Sequence, residues 1–179
     1  MKLAPAKVSF YGETLSTDGQ GAAVTSASIL VFPTGRDLLS SIRDGIVPPP
    51  PAAQLLDLTL EAVEEGRTVF GLRPHERFDN GQHAVHGGVL ATIIDFAVTT
   101  AAWTTLPAEA RVVTSNLNIT YLRPVLIDGD PIRCEGRVVH AGRRLIHAEA
   151  SLTDELGHLH ATATATCHVS AGEPGDGRD

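Results

Sequence analysis

An aspartate stands within an otherwise apolar helical stretch, nine positions after a His-Gly-Gly turn. Asp95 lies in the run 89–98, and the turn is His86-Gly87-Gly88. A carboxylate rarely enters such a run unless its charge is needed, and glycines at a helix start leave backbone N–H groups open to a ligand. Together the two features predict a catalytic base or nucleophile and an oxyanion site.

The spacing between these groups constrains how they could cooperate. Gly87 and Asp95 are eight positions apart, and this spacing is a rise of about 12 Å at about 1.5 Å per residue. A reacting carbonyl must lie roughly 3 Å from both the oxyanion donor and the attacking group. We therefore expect Gly87 of one subunit to face Asp95 of another in a twofold homodimer.

The helix that carries Asp95 is predicted to run from Gly87 to about Thr105 and to end at Leu106-Pro107. Its broad apolar side predicts that most of it is buried. The residues on that side are Leu90, Ile93, Ile94, Ala97 and Ala101.

A shorter helix and a proline run precede the predicted core. Leu38, Leu39 and Ile42 have helical spacing that ends at Gly45, and the run 48–51 consists of prolines. The prolines favour an extended polyproline spacer. We expect the short helix to lie over the domain as a cap.

In the core segments on both sides of the long helix the apolar period is two, which is typical of half-buried strands. Before the helix, alternating Leu56, Leu58 and Leu60 and the run 68–72 predict a hairpin around Glu65-Gly66. After it, four strands are predicted from the alternating sets Val113, Leu117, Ile119 and Tyr121; Ile132, Cys134, Gly136 and Val138; Ile146, Ala148, Ala150 and Leu152; and Leu159, Ala161, Ala163, Ala165 and Cys167. We expect these four strands to form an antiparallel meander in an α+β fold whose sheet curls around the helix.

Composition limits the functional classes. The chain has 179 residues and a net charge of −7, without a basic cluster longer than Arg143-Arg144. One domain is expected, and nucleic acid or an anionic membrane is not an expected partner. The N-terminal residues lack a leader pattern and the chain lacks a long apolar span, so a soluble cytoplasmic protein is predicted. Cys134 and Cys167 are expected to be small core residues.

Several of these features together resemble the hot dog fold thioesterases of the phenylacetic-acid-degradation (PaaI) type. They are the element order, the His-Gly-Gly turn followed by Asp95, the strand 118–124 and the turn Gly142-Arg143-Arg144. The resemblance covers roughly residues 36 to 169 and implies a curved antiparallel sheet wrapped around one long central helix. We assign 36–170 to this domain with its cap helix, leave 1–35 as an extension of undefined structure, and interpret 171–179 as a flexible tail.

Members of this family hydrolyse acyl-CoA thioesters to a free acid and CoA without a metal or organic cofactor. The resemblance implies that Asp95 is the acidic residue and that the Gly87 N–H polarises the thioester carbonyl. It also implies that Asn80 and Thr114 are catalytic residues, and that Thr99 supplies a supporting hydroxyl near the acid. Family members place such sites at subunit interfaces, so self-association as a dimer or a dimer of dimers is expected.

Other residues are assigned secondary roles. His86 is interpreted as a helix-capping or packing residue that positions Gly87 rather than as a proton carrier, and Gly88 is assigned a supporting role beside it. The adjacent Arg143 and Arg144 are candidates for the CoA phosphates, although they could equally form a solvated hairpin tip. Arg123 is assigned to CoA binding together with these two arginines.

Simpler interpretations stay open for several of these residues. Asn80 could be a local turn residue, and Thr92, Asp95 and Thr99 could form the polar stripe of a surface helix. His158 and His160 share a strand face but have no third ligand at a clear spacing, so no metal site is predicted.

Two rival functions and two chemical routes also remain. The chain could be an acyl-CoA-binding sensor without activity, or an acyl-CoA hydratase or dehydratase. As a hydrolase, Asp95 could attack the carbonyl to give a mixed anhydride, or it could take a proton from an attacking water.

Overall fold

The computed structural model describes residues 32–170, and these residues contain three α-helices, one 3₁₀ turn and six strands. In chain order the elements are α1 (Gly35–Arg43), α2 (Pro51–Leu55), β1 (Thr59–Glu64), β2 (Arg67–Leu72), the 3₁₀ turn Glu76–Phe78, α3 (Gly87–Trp103), β3 (Arg111–Tyr121), β4 (Ile132–Ala141), β5 (Leu145–Asp154) and β6 (Leu159–Ser170). The assigned tail 171–179 and nearly all of the extension 1–35 lie outside the described residues.

The six strands form one antiparallel sheet in the order β1-β2-β4-β5-β6-β3. Its inner face packs on α3 through a core that includes Phe70, Ile94 and Leu152. Helix and sheet approach closely at Gly136, where an added Cβ would lie 2.2 Å from the Ala97 main-chain oxygen. This curved sheet around one long helix confirms the predicted α+β hot dog architecture.

The strand order corrects the predicted four-strand meander. The strands β4, β5 and β6 are consecutive neighbours, but β3 lies beyond β6 at the edge of the sheet. Neighbours in sequence are usually neighbours in space. Here β4 is paired with β2 on one side and β5 on the other, so β3 pairs instead with the free side of β6.

The central helix agrees with its sequence pattern. It ends at Trp103, with Thr104 as C-cap, two residues before the expected end. The five residues predicted to form its buried side are all buried, namely Leu90, Ile93, Ile94, Ala97 and Ala101. Thus packing against the sheet, rather than a polar surface stripe, holds most of the helix in place.

The cap helix α1 also forms as predicted. Thr34 and Asp37 make a capping box at its start, and Gly45 follows its C-cap with a φ of +73°. A left-handed residue at this position is a common helix stop, and glycine adopts it without steric cost. Leu38 packs in one apolar cluster with Trp103 from the end of α3, so the short helix contacts the end of the central helix.

The predicted start of the first strand was wrong. Residues 51–55 form the helix α2, and β1 begins only at Thr59. Pro51 occupies the first turn, where its missing N–H costs nothing, and Pro50 supplies an extended N-cap. The following Ala-Ala-Gln-Leu residues favour a helix, so the extended spacer ends one residue earlier than predicted. The hairpin turn at Gly66 is confirmed.

Within residues 32–170, no helix is long and apolar enough to cross a membrane. Cys134 and Cys167 are fully buried and unpaired, as predicted.

Candidate active site

Asp95 lies midway along α3 and directs its carboxylate at the edge strand β3. The side chain is partly buried, and Oδ1 accepts a hydrogen bond from the Thr114 hydroxyl. Thr114 pairs across the strands with Cys167. Burial raises the pKa of the Cys167 thiol to about 11, and the nearby charge of Asp95 contributes to that rise. Neutral groups therefore surround the carboxylate on this side.

A bulge in β3 turns Thr114 toward the helix. The pairing with β6 shifts between Thr114 and Asn116, so Ser115 has no opposite residue. The sequence alternation placed Val113 on the inner face and Thr114 on the outer face. That assignment was wrong, because one extra residue inverts the faces on one side of the bulge. Val113 is 62% exposed and Thr114 is partly buried.

The His-Gly-Gly turn forms the first turn of α3. His86 is the N-cap, and its Nδ1 accepts a hydrogen bond from the Gly88 N–H at 2.9 Å. This geometry agrees with the capping role predicted for His86. The Gly87 N–H has no hydrogen-bond partner within residues 32–170, so it is the open donor of the turn.

Tyr121, the last residue of β3, closes over this turn. Its hydroxyl donates to the Gly87 main-chain oxygen at 2.7 Å. An added Cβ at Gly87 would meet the Tyr121 ring at 3.4 Å, which is ordinary contact. This role of Tyr121 was not predicted, because the strand alternation assigns its side chain to the inward-facing residues.

Asn80, Gly87 and Arg123 line one surface depression of about 290 Å³. The Asn80 Oδ1 accepts from the Gln82 N–H at 2.8 Å, so this oxygen closes a local turn, as the simpler interpretation predicted. The structure therefore brings three of the predicted site residues together at the start of α3. Asp95 is two turns away on the same helix.

The threonines beside Asp95 bind main-chain oxygens. Thr99 donates to the Asp95 carbonyl oxygen at 2.6 Å, and Thr92 donates to the Gly88 carbonyl oxygen at 3.0 Å. Thr99 is thus near Asp95, as predicted, but its hydroxyl contacts the backbone. Of the two predicted threonines, Thr114 is the one that contacts the carboxylate.

The candidate CoA-binding arginines lie at two ends of the sheet. Arg143 and Arg144 are exposed in the turn between β4 and β5. The Arg144 main-chain oxygen accepts from the Val169 N–H at 2.8 Å, and Val169 pairs with Val112 near the beginning of β3. Arg123 instead follows the other end of β3, so these arginines do not form one patch within the subunit.

His158 and His160 share Asp154. The Asp154 Oδ2 lies 2.9 Å from His158 Nδ1 and 3.5 Å from His160 Nε2. Desolvation acts to raise the pKa of Asp154, but hydrogen bonds from both histidines lower it to about 2. His160 Nδ1 donates to the Pro124 oxygen at 3.1 Å. This group therefore anchors the loop after β3. No cluster of three potential metal ligands occurs within the described part of the chain.

A large apolar cavity beneath the cap was not predicted. It encloses about 940 Å³, and Phe70, Phe96 and Trp103 lie on its walls. The chain has only five Phe, two Tyr and one Trp, and three of these aromatic residues meet here. The spacing of Phe96 and Trp103 by seven positions on one helix was the available signal.

The parts of the site fit addition to a carbonyl group. A backbone N–H at a helix start stabilises negative charge on the carbonyl oxygen, and a hydrogen-bonded carboxylate can act as base or nucleophile. The chain holds both parts, but at different heights along α3.

Comparisons with known proteins place these features in context. Residues 82–161 match the family model described as the thioesterase superfamily. Human acyl-coenzyme A thioesterase 13 is 28% identical over 113 residues, which cover 63% of this chain and 79% of the human protein. A phenylacetic acid degradation-related protein from Ralstonia eutropha is 30% identical with a TM-score of 0.66, covering 73% of this chain and 98% of that one. A Streptococcus mutans protein solved with bound acetyl CoA is 25% identical with a TM-score of 0.60, covering 65% and 91% of the respective chains.

Proposed function

Because this chain belongs to the thioesterase superfamily, we propose that it hydrolyses an acyl-CoA thioester to a free carboxylic acid and CoA. The observation that carries the proposal is the Asp95 carboxylate, held by Thr114 on a helix whose first turn offers an open Gly87 N–H. Acyl-CoA as the substrate class is supported by the name of the human relative and by the acetyl CoA bound in the Streptococcus mutans protein.

In this proposal the Gly87 N–H is the oxyanion donor. Negative charge grows on the thioester oxygen as the carbonyl carbon is attacked, and the positive end of the α3 dipole adds to the stabilisation. Removal of one such donor typically costs about 3 kcal/mol of barrier. His86 and Tyr121 position the donor, because they bind the Gly88 N–H and the Gly87 oxygen respectively.

Asp95 supplies the attack on the carbonyl carbon. Thr114 binds Oδ1, which leaves Oδ2 for the reaction. By the general-base route Oδ2 takes a proton from water while the water oxygen bonds to the carbonyl carbon. The C–S bond then breaks, and the proton passes to the departing CoA thiolate. By the nucleophilic route Oδ2 bonds to the carbonyl carbon and the C–S bond breaks, which releases the CoA thiolate. Water then hydrolyses the mixed anhydride, frees the acid and restores the Asp95 carboxylate. Both routes use the same contacts.

We propose that the complete site lies between two subunits. Within residues 32–170, the edge strand β3 has a free side, since β6 is its only neighbour in the sheet there. A long free edge is a template for another strand. If β3 pairs antiparallel with its twofold copy, its Arg111 end lies beside the Tyr121 end of the partner subunit. Asp95 and Thr114 then come beside the Gly87 turn of the partner.

The proposed twofold pairing of β3 also brings the candidate CoA-binding arginines of the two subunits together. Arg143 and Arg144 lie at the Arg111 end of the sheet, and Arg123 follows Tyr121. Twofold pairing therefore places the arginine turn of one subunit near Arg123 of its partner. In the proposed complex these guanidinium groups bind the CoA phosphates, while Asn80 and Thr99 support the turn and the helix.

The direct test is thiol release from a panel of acyl-CoAs by the wild-type chain, Asp95→Asn and Asp130→Asn. The last is a matched control, because Asp130 is an exposed loop carboxylate. We expect Asp95→Asn to lower kcat by about 10²- to 10⁴-fold, the usual contribution of a positioned acid–base group. Circular dichroism should remain that of the folded wild type, and Asp130→Asn should keep its rate.

Other outcomes identify the alternatives. Acyl-CoA binding without thiol release from any substrate would indicate a sensor. Hydration of an enoyl-CoA without thiol release would indicate a hydratase. A folded Asp95→Asn variant with the wild-type rate would remove Asp95 from the mechanism.

A further inference from the structure

The apolar cavity under the cap lies next to Asp95. Its α3 wall includes Phe96, Thr99 and Trp103, which share one side of the helix because they are spaced by three, four and seven positions. Asp95 lies at the edge of that side, directly before Phe96. Thr99 also donates to the Asp95 carbonyl oxygen, so the cavity wall and the candidate catalytic residue belong to the same helical turns.

Three polar side chains of the cavity wall are already hydrogen-bonded within the protein. Thr99 and Thr100 donate to main-chain oxygens of their own helix, each at 2.6 Å. The Gln54 Nε2 donates to the Pro49 oxygen at 2.6 Å. The Trp103 indole nitrogen is buried and makes no hydrogen bond among the described residues. The wall therefore offers hydrocarbon rather than hydrogen-bonding groups.

The charges near the cavity do not favour a polar guest. No carboxylate among the described residues lines it, and its two lining cations are Arg43 and Arg111. Arg43 pairs with Asp44 at 2.8 Å, and Arg111 is exposed at the start of β3. A charged or hydroxylated group deep in the cavity would lose its water without gaining a partner, which is unfavourable.

We propose that this cavity binds the acyl chain of the substrate, and that the substrates are CoA thioesters of medium- and long-chain hydrocarbon acids. The inference rests on the proposed hydrolase function, because it takes the thioester at Asp95 as its starting point. The cavity volume of about 940 Å³ is near the upper end of the range of about 300–1,000 Å³ that encloses drug-sized ligands. An acetyl group would leave most of it empty.

Chain-length dependence of kcat/KM tests the proposal with the full-length protein. Each methylene that moves from water into an apolar cavity should raise kcat/KM by about fourfold. We expect this rise from butanoyl-CoA through octanoyl-CoA to dodecanoyl-CoA, with a plateau when the cavity is full. Each substrate is used below its micelle concentration.

Two matched valine substitutions locate the effect. Val112 lines the cavity from β3 and is partly buried, whereas Val139 lies on β4, is 64% exposed and is not on the lining. Val112→Phe should reduce the available volume, so its plateau should come at a shorter chain. Val139→Phe adds the same atoms elsewhere and should follow the wild-type profile.

Trp103 gives a second readout that does not need turnover. It is the only tryptophan of the chain and lies on the cavity wall. Its fluorescence emission, excited at the long-wavelength edge of tryptophan absorption, therefore reports on the surroundings of the cavity wall. In the Asp95→Asn protein, dodecanoyl-CoA should shift this emission to the blue and saturate, while CoA and acetyl-CoA should leave it unchanged. This measurement also decides the case if Val112→Phe does not fold.

The outcomes separate this proposal from the hydrolase function. Equal kcat/KM for acetyl-CoA and dodecanoyl-CoA, with no change in Trp103 emission, would overturn the acyl-chain site while leaving hydrolysis intact. Absence of thiol release with a saturable Trp103 shift would overturn the hydrolase function while retaining the acyl-chain site. Loss of the chain-length rise in Val139→Phe as well as in Val112→Phe would also count against the cavity.

Discussion

The Thr114 hydroxyl donates a hydrogen bond to the Asp95 carboxylate and thereby joins the edge strand to the central helix. The contact depends on the bulge at Ser115, which turns Thr114 inward. Bulges are common near functional sites, where they redirect a side chain. Asp95 is consequently held on one oxygen by a neutral donor, while no strand among the described residues pairs with the other side of β3.

Removal of the Thr114 hydroxyl should lower kcat. Thr114→Val keeps the shape of the side chain but leaves the Asp95 oxygen without its donor, and we expect about a tenfold loss of kcat from a hydrogen bond of this type. Thr114→Ser restores a hydroxyl and should recover most of the rate. The measurement is steady-state thiol release, with thermal unfolding as a control for folding. Wild-type kcat in a folded Thr114→Val protein would mean that Thr114 does not assist Asp95.

Tyr121→Phe tests the positioning of the oxyanion turn. The change removes the hydrogen bond to the Gly87 oxygen and retains the ring that packs on Gly87. We expect kcat to fall by about threefold to tenfold, with little change in KM, because the turn acts mainly on the transition state. A lower melting temperature with an unchanged kcat of the folded protein would indicate that the hydroxyl has a purely structural role.

Strong periodicity made much of the fold predictable. The helix with Leu90, Ile93, Ile94 and Ala97 on one side forms as expected, as does the strand with alternating Ile146, Ala148 and Ala150. In both elements, a shift of one residue would expose the apolar face, so only one orientation of each element buries its apolar residues. The position of β3 was not predictable in this way, because strand order depends on long-range pairing.

The candidate site was predictable where residue types are unusual for their surroundings. Asp95 in an apolar helix and glycines at a helix start both stand out. The side of β3 occupied by Thr114 did not, because an extra Ser115 leaves no mark in the alternation on either side of it. The Tyr121 contact and the aromatic cavity join residues that are far apart in sequence, and residue spacing alone does not reveal such contacts.

The double variant Arg143→Ala/Arg144→Ala should weaken binding of CoA. Guanidinium–phosphate contacts are charge-assisted, and we expect KM for an acyl-CoA to rise by about tenfold. KM for the corresponding acyl-pantetheine, which lacks the nucleotide phosphates, should change little. The difference should shrink at high salt. An equal rise of KM for both substrates would contradict phosphate binding by this turn.

Assembly of the site from two subunits can be tested by mixing two inactive proteins. The first is Asp95→Asn. The second is Gly87→Val, whose side chain shields the N–H from a substrate, while an added Cβ meets the Tyr121 ring only at 3.4 Å and should be compatible with folding. Each homodimer then has a defect in both of its sites and should be inactive. Circular dichroism of each protein alone checks that it is folded.

A mixed dimer should contain one site with both defects and one with neither. The intact site takes Asp95 from the Gly87→Val subunit and the Gly87 donor from the Asp95→Asn subunit. Each mixed dimer should therefore recover half of the wild-type activity, and a mixture of equal amounts should recover about a quarter overall, since half of its dimers are mixed. Native mass spectrometry must first establish that the subunits have exchanged. If mixed dimers are present and activity stays at the level of the parents, Gly87 and Asp95 do not share a site across the interface, and one of them has another role.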